Sequence, residues 1–182
     1  LGALVLVPEI ALTAQVMGAF QARFGDEVAL LHSNLSVGER HDEWLRLRRG
    51  EARVVVGARS AVFAPVQNLG LIVIDEEHEP SYKQDDRHPR YHARTVAMKR
   101  AALENAAVVL GSATPSMESY YRGQGGSSRL LVLSKRVEHL PLPEVAIVDM
   151  REELKRGNRT VFSRRLQGEL ARCLGRGEQA IL

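Results

Sequence analysis

The sequence predicts an α/β fold in which helices cover a mostly parallel, doubly wound sheet. Three observations carry that expectation. Gly2 to Val7, Val54 to Val56, Leu71 to Ile74 and Ala107 to Leu110 are short apolar runs without the polar alternation of a half-exposed strand. Stretches with helical periodicity separate them, the pattern of parallel strands joined by crossovers. Each run also ends in residues suited to ligand contact, and the carboxyl edge of an open α/β sheet is where ligands bind.

Taken in order, Gly2 to Val7 is stopped by Pro8, and the chain then enters a helix whose Val16, Met17, Phe20 and Phe24 repeat at helical spacing before Gly25, as core residues do. Val28 to Leu31 reads as a short strand. Ser36-Val37-Gly38-Glu39 has capping-box spacing, opening a helix that carries Trp44, Leu45 and Arg48 up to Gly50. Thr95 to Asn105 reads as a helix, and another starts near Ser116, within hydroxyl-capping reach. Gly123 to Ser128 is a flexible turn that follows a helix and has no lysine after it, so it is no phosphate loop. Leu130 to Leu133 and Val145 to Val148 read as strands, Arg151 to Arg159 as a solvated charged stretch, and Ser163 to Leu174 as an amphipathic helix before a last strand. The chain opens and closes inside apolar runs, so the sequence predicts a piece of a longer protein.

Composition narrows the function classes. The 182 residues carry a net charge of +3, and of 25 cations only Lys83, Lys99, Lys135 and Lys155 are lysines. Arginine's planar fork suits phosphate, which fits a nucleic-acid partner. The single cysteine, Cys173, excludes a disulfide framework or a multi-cysteine zinc site within these residues and points to a reducing, cytoplasmic setting. No apolar run reaches the roughly 18 residues of a membrane span, and no His-Glu-x-x-His motif is present, which disfavours a zinc peptidase.

The chemistry concentrates on Leu71 to Glu79, where a buried strand delivers Asp75-Glu76-Glu77-His78. A carboxylate there suits the water shell of Mg²⁺, and its neighbour suits the orientation of an attacking water. These roles fall to Asp75 and Glu76, against the plain reading of a solvated turn. Gly57-Ala58-Arg59-Ser60 offers close backbone approach and phosphate donors. Pro80 to Arg94 alternates rings with cations through Tyr82, Lys83, Arg87, Arg90, Tyr91, His92 and Arg94, as single-strand binders do, or else its tyrosines cover an apolar edge. The hydroxyls of Gly111-Ser112-Ala113-Thr114-Pro115 reach the acids only if their two strands are neighbours.

In this order and spacing the motifs resemble the superfamily 2 helicases, and most closely the replication-restart helicases, over nearly the whole chain. Leu6 to Ile10 with Leu12-Thr13 resembles motif Ia, Val56 to Ala61 motif Ib, Asp75 to His78 the DEEH form of the Walker B box, and Gly111 to Pro115 motif III. Ser81 to Gln84 with Arg90 to Arg94 resembles the aromatic-rich loop. The resemblance implies a three-layer RecA-like lobe over residues 1–134, truncated at both ends, then a linker and the start of a second lobe over 135–182. It implies a motor that uses ATP and Mg²⁺ and moves 3′ to 5′ on single-stranded and forked DNA at stalled forks, with primosome proteins and single-strand binding protein as partners.

By position, the resemblance gives Asp75 the metal through water, makes Glu76 the base, and has His78, Ser112 and Thr114 couple nucleotide to DNA. Pro8, Thr13, Arg59, Ser60, Tyr82, Lys83, Tyr91, His92 and Arg94 would contact DNA, the last five making the loop that in the family links DNA binding to ATP turnover. Two departures matter: no Gly-x-x-x-x-Gly-Lys-Ser/Thr loop occurs, and Asp85 to Pro89 lacks an expected tryptophan. The missing loop and the family's zinc-binding cysteines are expected outside these residues, so zinc belongs to the parent protein. The alternatives are a non-hydrolysing DNA-binding or partner-docking module and another superfamily 2 translocase, RecG-like or a restriction motor.

Overall fold

The structure is a computed structural model of the chain, and it describes residues 1–9, 14–86, 88–135 and 143–182. The described residues form two compact units, Leu1–Leu131 and Val132–Leu182.

The first unit is built on β1 (Gly2–Leu6), α1 (Ala14–Phe24), β2 (Val28–Leu31), α2 (Val37–Arg49), β3 (Val54–Gly57), β4 (Leu69–Ile74), β5 (Lys83–Gln84), β6 (Tyr91–His92), α3 (Ala93–Glu104), β7 (Ala107–Leu110) and α4 (Met117–Gln124). Among the described residues five strands make one sheet in the order β2-β3-β1-β4-β7, every neighbouring pair parallel. The registers align the carboxyl tips, with Leu6 opposite both Gly57 and Ile74, and Ile74 opposite Leu110. β5 and β6 form a separate antiparallel pair, Lys83 against His92.

One face of the sheet holds the main core. Leu4, Leu6, Val55, Ile72 and Ile74 meet Leu47 of α2 and Ala93, Ala97 and Ala101 of α3, all buried. Alanines at i, i+4 and i+8 keep α3 close to the sheet, since a larger side chain there would need space that the packed interior lacks. The other face carries α1, whose Phe20 packs against Val7, Val28 and Val56. That face is thinner than the sequence predicts. Val16, Met17 and Phe20 are half-buried, Phe24 is exposed, Leu71 and Val73 are half-buried, and Val109 is 49% exposed. A run of apolar residues does not record that both faces of its strand are covered equally, nor that the strand is interior, since β7 lies at an edge of the described sheet.

Local signals match the helix ends. Ser36 Oγ accepts the Glu39 N–H while the Glu39 carboxylate accepts the Ser36 N–H, and Gly50 closes α2 in the left-handed conformation at φ 75°. The Ser116 and Ser163 hydroxyls cap α4 and α6 (Arg164–Gly175) by accepting the Ser119 and Leu166 N–H groups, without the reciprocal carboxylate bond. Gly57 is demanded by close approach: a Cβ there would lie 2.3 Å from the Leu31 carbonyl oxygen and 2.6 Å from the Ala61 Cβ.

In the second unit the charged stretch is helical at α5 (Met150–Lys155). The strands expected at Leu130 to Leu133, Val145 to Val148 and the terminus do not form: Leu133, Ile147 and Ile181 are almost wholly exposed. Apolar residues become a strand only with a ladder partner, and these segments have none among the described residues. The unit is organised by Glu153, whose carboxylate accepts from the Arg164 N–H at 2.9 Å and the Asn158 amide at 2.8 Å. Among the described residues no helix is long and apolar enough to cross a membrane.

Two outcomes follow. Gly57→Ala should destabilise the protein by about 1–3 kcal/mol in urea unfolding, because the added carbon overpacks the β2/β3 tip. Its three hydrogen-bond partners hold the Glu153 carboxyl down to about 2. A depressed carboxylate stabilises the fold above its ordinary pKa and loses that effect as the pH falls through the folded value. An NMR titration should therefore place the Glu153 midpoint near 2, with the α5–α6 turn loosening below the usual carboxylate range and not at neutral pH.

Candidate nucleotide and nucleic-acid site

The candidate site lies along the shared carboxyl edge of β3, β1, β4 and β7. Asp75 and Glu76 follow β4, and Gly111 to Thr114 follow β7, the next strand over. The two tips are laced by backbone bonds, Gly111 N–H to the Ile74 carbonyl at 2.8 Å and Glu77 N–H to the Gly111 carbonyl at 3.0 Å. A Cβ on Gly111 would sit 3.5 Å from Asp75 Oδ1, so the glycine leaves room beside the carboxylate.

Glu76 occupies the left-handed region at φ 45°, a conformation that costs a non-glycine residue about 1–2 kcal/mol. The Asp75 carboxylate steadies it by accepting the Glu76 N–H at 3.0 Å. This turn leaves Asp75 exposed, and Glu76 half-exposed, while sending Glu77 inward. His78 Nδ1 lies 3.5 Å from a Glu76 carboxylate oxygen and 2.7 Å from Ser112 Oγ, which also accepts the Thr114 N–H at 3.0 Å. The hydroxyl thus reaches the acid cluster through His78, and the chain Glu76, His78, Ser112, Thr114 is continuous. Hard carboxylate oxygens on an open tip suit a magnesium ion that keeps its waters and shares nucleotide phosphates.

Pro8, which is buried, Arg59 and Ser60 line one cleft of about 480 Å³ with His32, Arg40 and Trp44. These last three escaped the sequence reading because they sit on β2's exit and on α2, outside the recognised motifs. Thr13 lies outside the described residues. Arg59 reaches across the cleft to the loop, donating to the Ser81 and Lys83 carbonyls at 3.3 and 2.7 Å. The Arg48 guanidinium lies over the Trp44 ring at 5.3 Å.

The aromatic loop differs most from expectation. Tyr82 is 1% exposed and its hydroxyl donates to the Asp75 carbonyl at 2.7 Å. Burial, then the nearby carboxylates, push its phenol far above the ordinary range. A ring so enclosed has no face left for a base, so the stacking role expected of Tyr82 is withdrawn: it anchors the loop beneath the acid cluster. Tyr91 is half-buried, edge-on to Phe63 at 5.1 Å. His92 caps α3 by accepting the Arg94 N–H, and burial, with the Arg94 charge, holds its imidazole below the usual value. Lys83 is exposed and paired with Asp85 at 3.0 Å. The loop therefore turns the Tyr82 and Tyr91 rings inward and shows Lys83 and Arg90 outward, a composition that alternation alone could not distinguish from a stacking platform.

Arg94 is also committed inward. Its guanidinium donates to the Glu77 carboxylate and to the Ser116 and Ser119 hydroxyls at 2.6 and 3.1 Å. Glu77, 2% exposed, accepts in addition from the Ser116 N–H at 2.6 Å. Burial raises this carboxyl, but the bonds from Ser116, Arg94 and Ser119 outweigh it and hold the group below its usual value. The sequence reading passed over Glu77; a third acid in a cluster leaving a buried strand, with an arginine opening the next helix, was the available signal.

Parallel strands flanked by helices, with a carboxylate tip beside a hydroxyl tip, make a RecA-like fold, and the DEAD/DEAH box helicase model matches residues 1–122. The chain belongs to the DEAD/DEAH box helicase family. Within it, the chain is 58% identical over 180 residues to the replication restart protein PriA of Bacillus subtilis, 53% over 183 residues to that of Synechocystis and 44% over 180 residues to that of Chlamydia trachomatis. These alignments cover 98–99% of this chain but only 22–24% of the relatives, so the chain spans about a fifth to a quarter of their length.

Tyr82→Phe should lower stability by about 1–2 kcal/mol, since it leaves the Asp75 carbonyl without its phenol donor. Single-strand affinity, read by fluorescence anisotropy, should stay within about twofold, because the hydroxyl removed is spent on the Asp75 carbonyl and not on a strand.

Proposed function

We propose that the chain is the greater part of the first motor lobe of an ATP-driven DNA helicase acting 3′ to 5′ in replication restart, with residues 135–182 leading into a second lobe. The observation that supports this most directly is the adjacency of β4 and β7, which brings Asp75, Glu76 and His78 beside Ser112 and Thr114.

In this reading Asp75 holds Mg²⁺ through water, and the metal supplies charge neutralisation to the phosphates when bound. Glu76, held outward by its left-handed backbone, orients and deprotonates the attacking water. His78 ties that carboxylate to Ser112, so a change at motif III alters the setting of Glu76. Arg59 and Ser60 face the strand in the cleft, where the buried Pro8 belongs to the wall, and Lys83 adds a cation from the loop. The phosphate-binding loop, the zinc site and the contacts to forked DNA, primosome proteins and single-strand binding protein belong to the remainder of the full-length protein.

The test is phosphate release by the full-length protein with and without single-stranded DNA. Glu76→Gln should lower the DNA-stimulated rate roughly a hundredfold or more, the usual loss when a general base is removed. A rate within about twofold of the parent would end the base assignment.

A further inference from the structure

Glu77 has no part in the chemistry just described, yet it is the most completely engaged ionised side chain in the first unit. Its carboxylate is 1% exposed and its partner Arg94 17%. A buried ion pair is weak evidence for stability, because desolvation of the two charges offsets much of their attraction. What this pair does have is connectivity. Glu77 lies between Glu76 and His78 in the chain. Arg94 lies in the first turn of α3, which continues directly from β6, the end of the aromatic loop. Ser116 is the cap of α4 and Ser119 sits in its first turn, just beyond Gly111 to Pro115.

One carboxylate therefore joins two segments, the start of α3 and the start of α4, to its own. Oε1 takes the Ser116 N–H at 2.6 Å; Oε2 takes Arg94, the Ser119 hydroxyl at 2.9 Å and the Ser116 hydroxyl at 3.2 Å. Its own N–H is fixed to the Gly111 carbonyl. The Tyr82 hydroxyl on the Asp75 carbonyl also links the loop to the acid cluster, but that bond does not reach α4. A shift of β6 and α3 pulls Arg94, Arg94 pulls Glu77 and Ser116 together, and the residues flanking Glu77 are the proposed base and the histidine bonded to Ser112. Buried hydrogen-bonded networks have few alternative arrangements, so such a shift is transmitted and not absorbed.

We infer that Glu77 is a positioning residue: with Arg94 it locks the end of the aromatic loop to the start of α4, so that strand binding at the loop resets Glu76 and His78. Arg94 acts here as an internal strut and not as a phosphate contact. The inference rests on the proposed motor function, and it adds a residue that carries the coupling while touching neither nucleotide nor DNA.

The experiment uses the full-length protein and measures ATP hydrolysis without DNA and at saturating oligothymidylate, together with the oligonucleotide Kd. Glu77→Gln keeps shape and removes charge, and Ser119→Ala removes one donor with little risk to folding. Both should leave the DNA-free rate and the Kd within about twofold. The stimulation ratio should fall about tenfold in Glu77→Gln, within the range of coupling between sites, and by a smaller factor in Ser119→Ala. Unchanged stimulation in soluble Glu77→Gln overturns the inference alone. If Glu77→Gln does not fold, Ser119→Ala decides: reduced stimulation at unchanged Kd supports the lock, and full stimulation overturns it. Absence of DNA stimulation in the unmodified protein overturns this inference and the proposed function together.

Discussion

The in-register pairing of β4 with β7 is the constraint on which the site depends. Parallel strands have evenly spaced bonds and a fixed direction, so setting Ile74 opposite Leu110 also sets Asp75 opposite Gly111 and lets Glu77 bond back to the Gly111 carbonyl. A slip of one residue would turn Glu77, now interior, toward solvent and bring Glu76 into the core. The main core face, with Leu4, Leu6, Ile72 and Ile74 under α3, forbids that slip by burying the wrong side chains if it occurs.

From that pairing the acid cluster divides by environment. Asp75 and Glu76 remain toward solvent and Glu77 goes in, although the three are adjacent and chemically alike. The left-handed φ of Glu76 performs the division, and its backbone cost is offset by the Asp75 cap and by the bonds that Glu77 gains inside. The outward acids can meet ligands; the inward one can only hold neighbouring segments. Three letters of one motif thus separate into chemistry and support.

Much of this was legible in sequence. Interior strands were marked by β-branched runs, the carboxyl edge by the residues after them, and α2 by its capping box, because each signal is local. What sequence could not supply was direction. Tyr82 and Arg94 were sorted by type as ring and cation for a nucleic acid, but one is under Asp75 and the other on Glu77. Nothing in their spacing tells which way a short antiparallel loop faces. The apolar segments around Leu131 and Ile147 erred for the opposite reason: composition suited a strand, and no partner strand was there among the described residues to make one.

The enclosed phenol of Tyr82 gives the molecule an optical gauge. Tyr120 and Tyr121 are open to water at 46% and 76% exposure, whereas Tyr82 is enclosed, with its phenol pushed far above the ordinary range. The ionisation of that phenol is therefore tied to its seat on the Asp75 carbonyl. Anything that lifts the loop from its seat brings the phenol back toward the ordinary range, so ultraviolet difference spectra register detachment without any label.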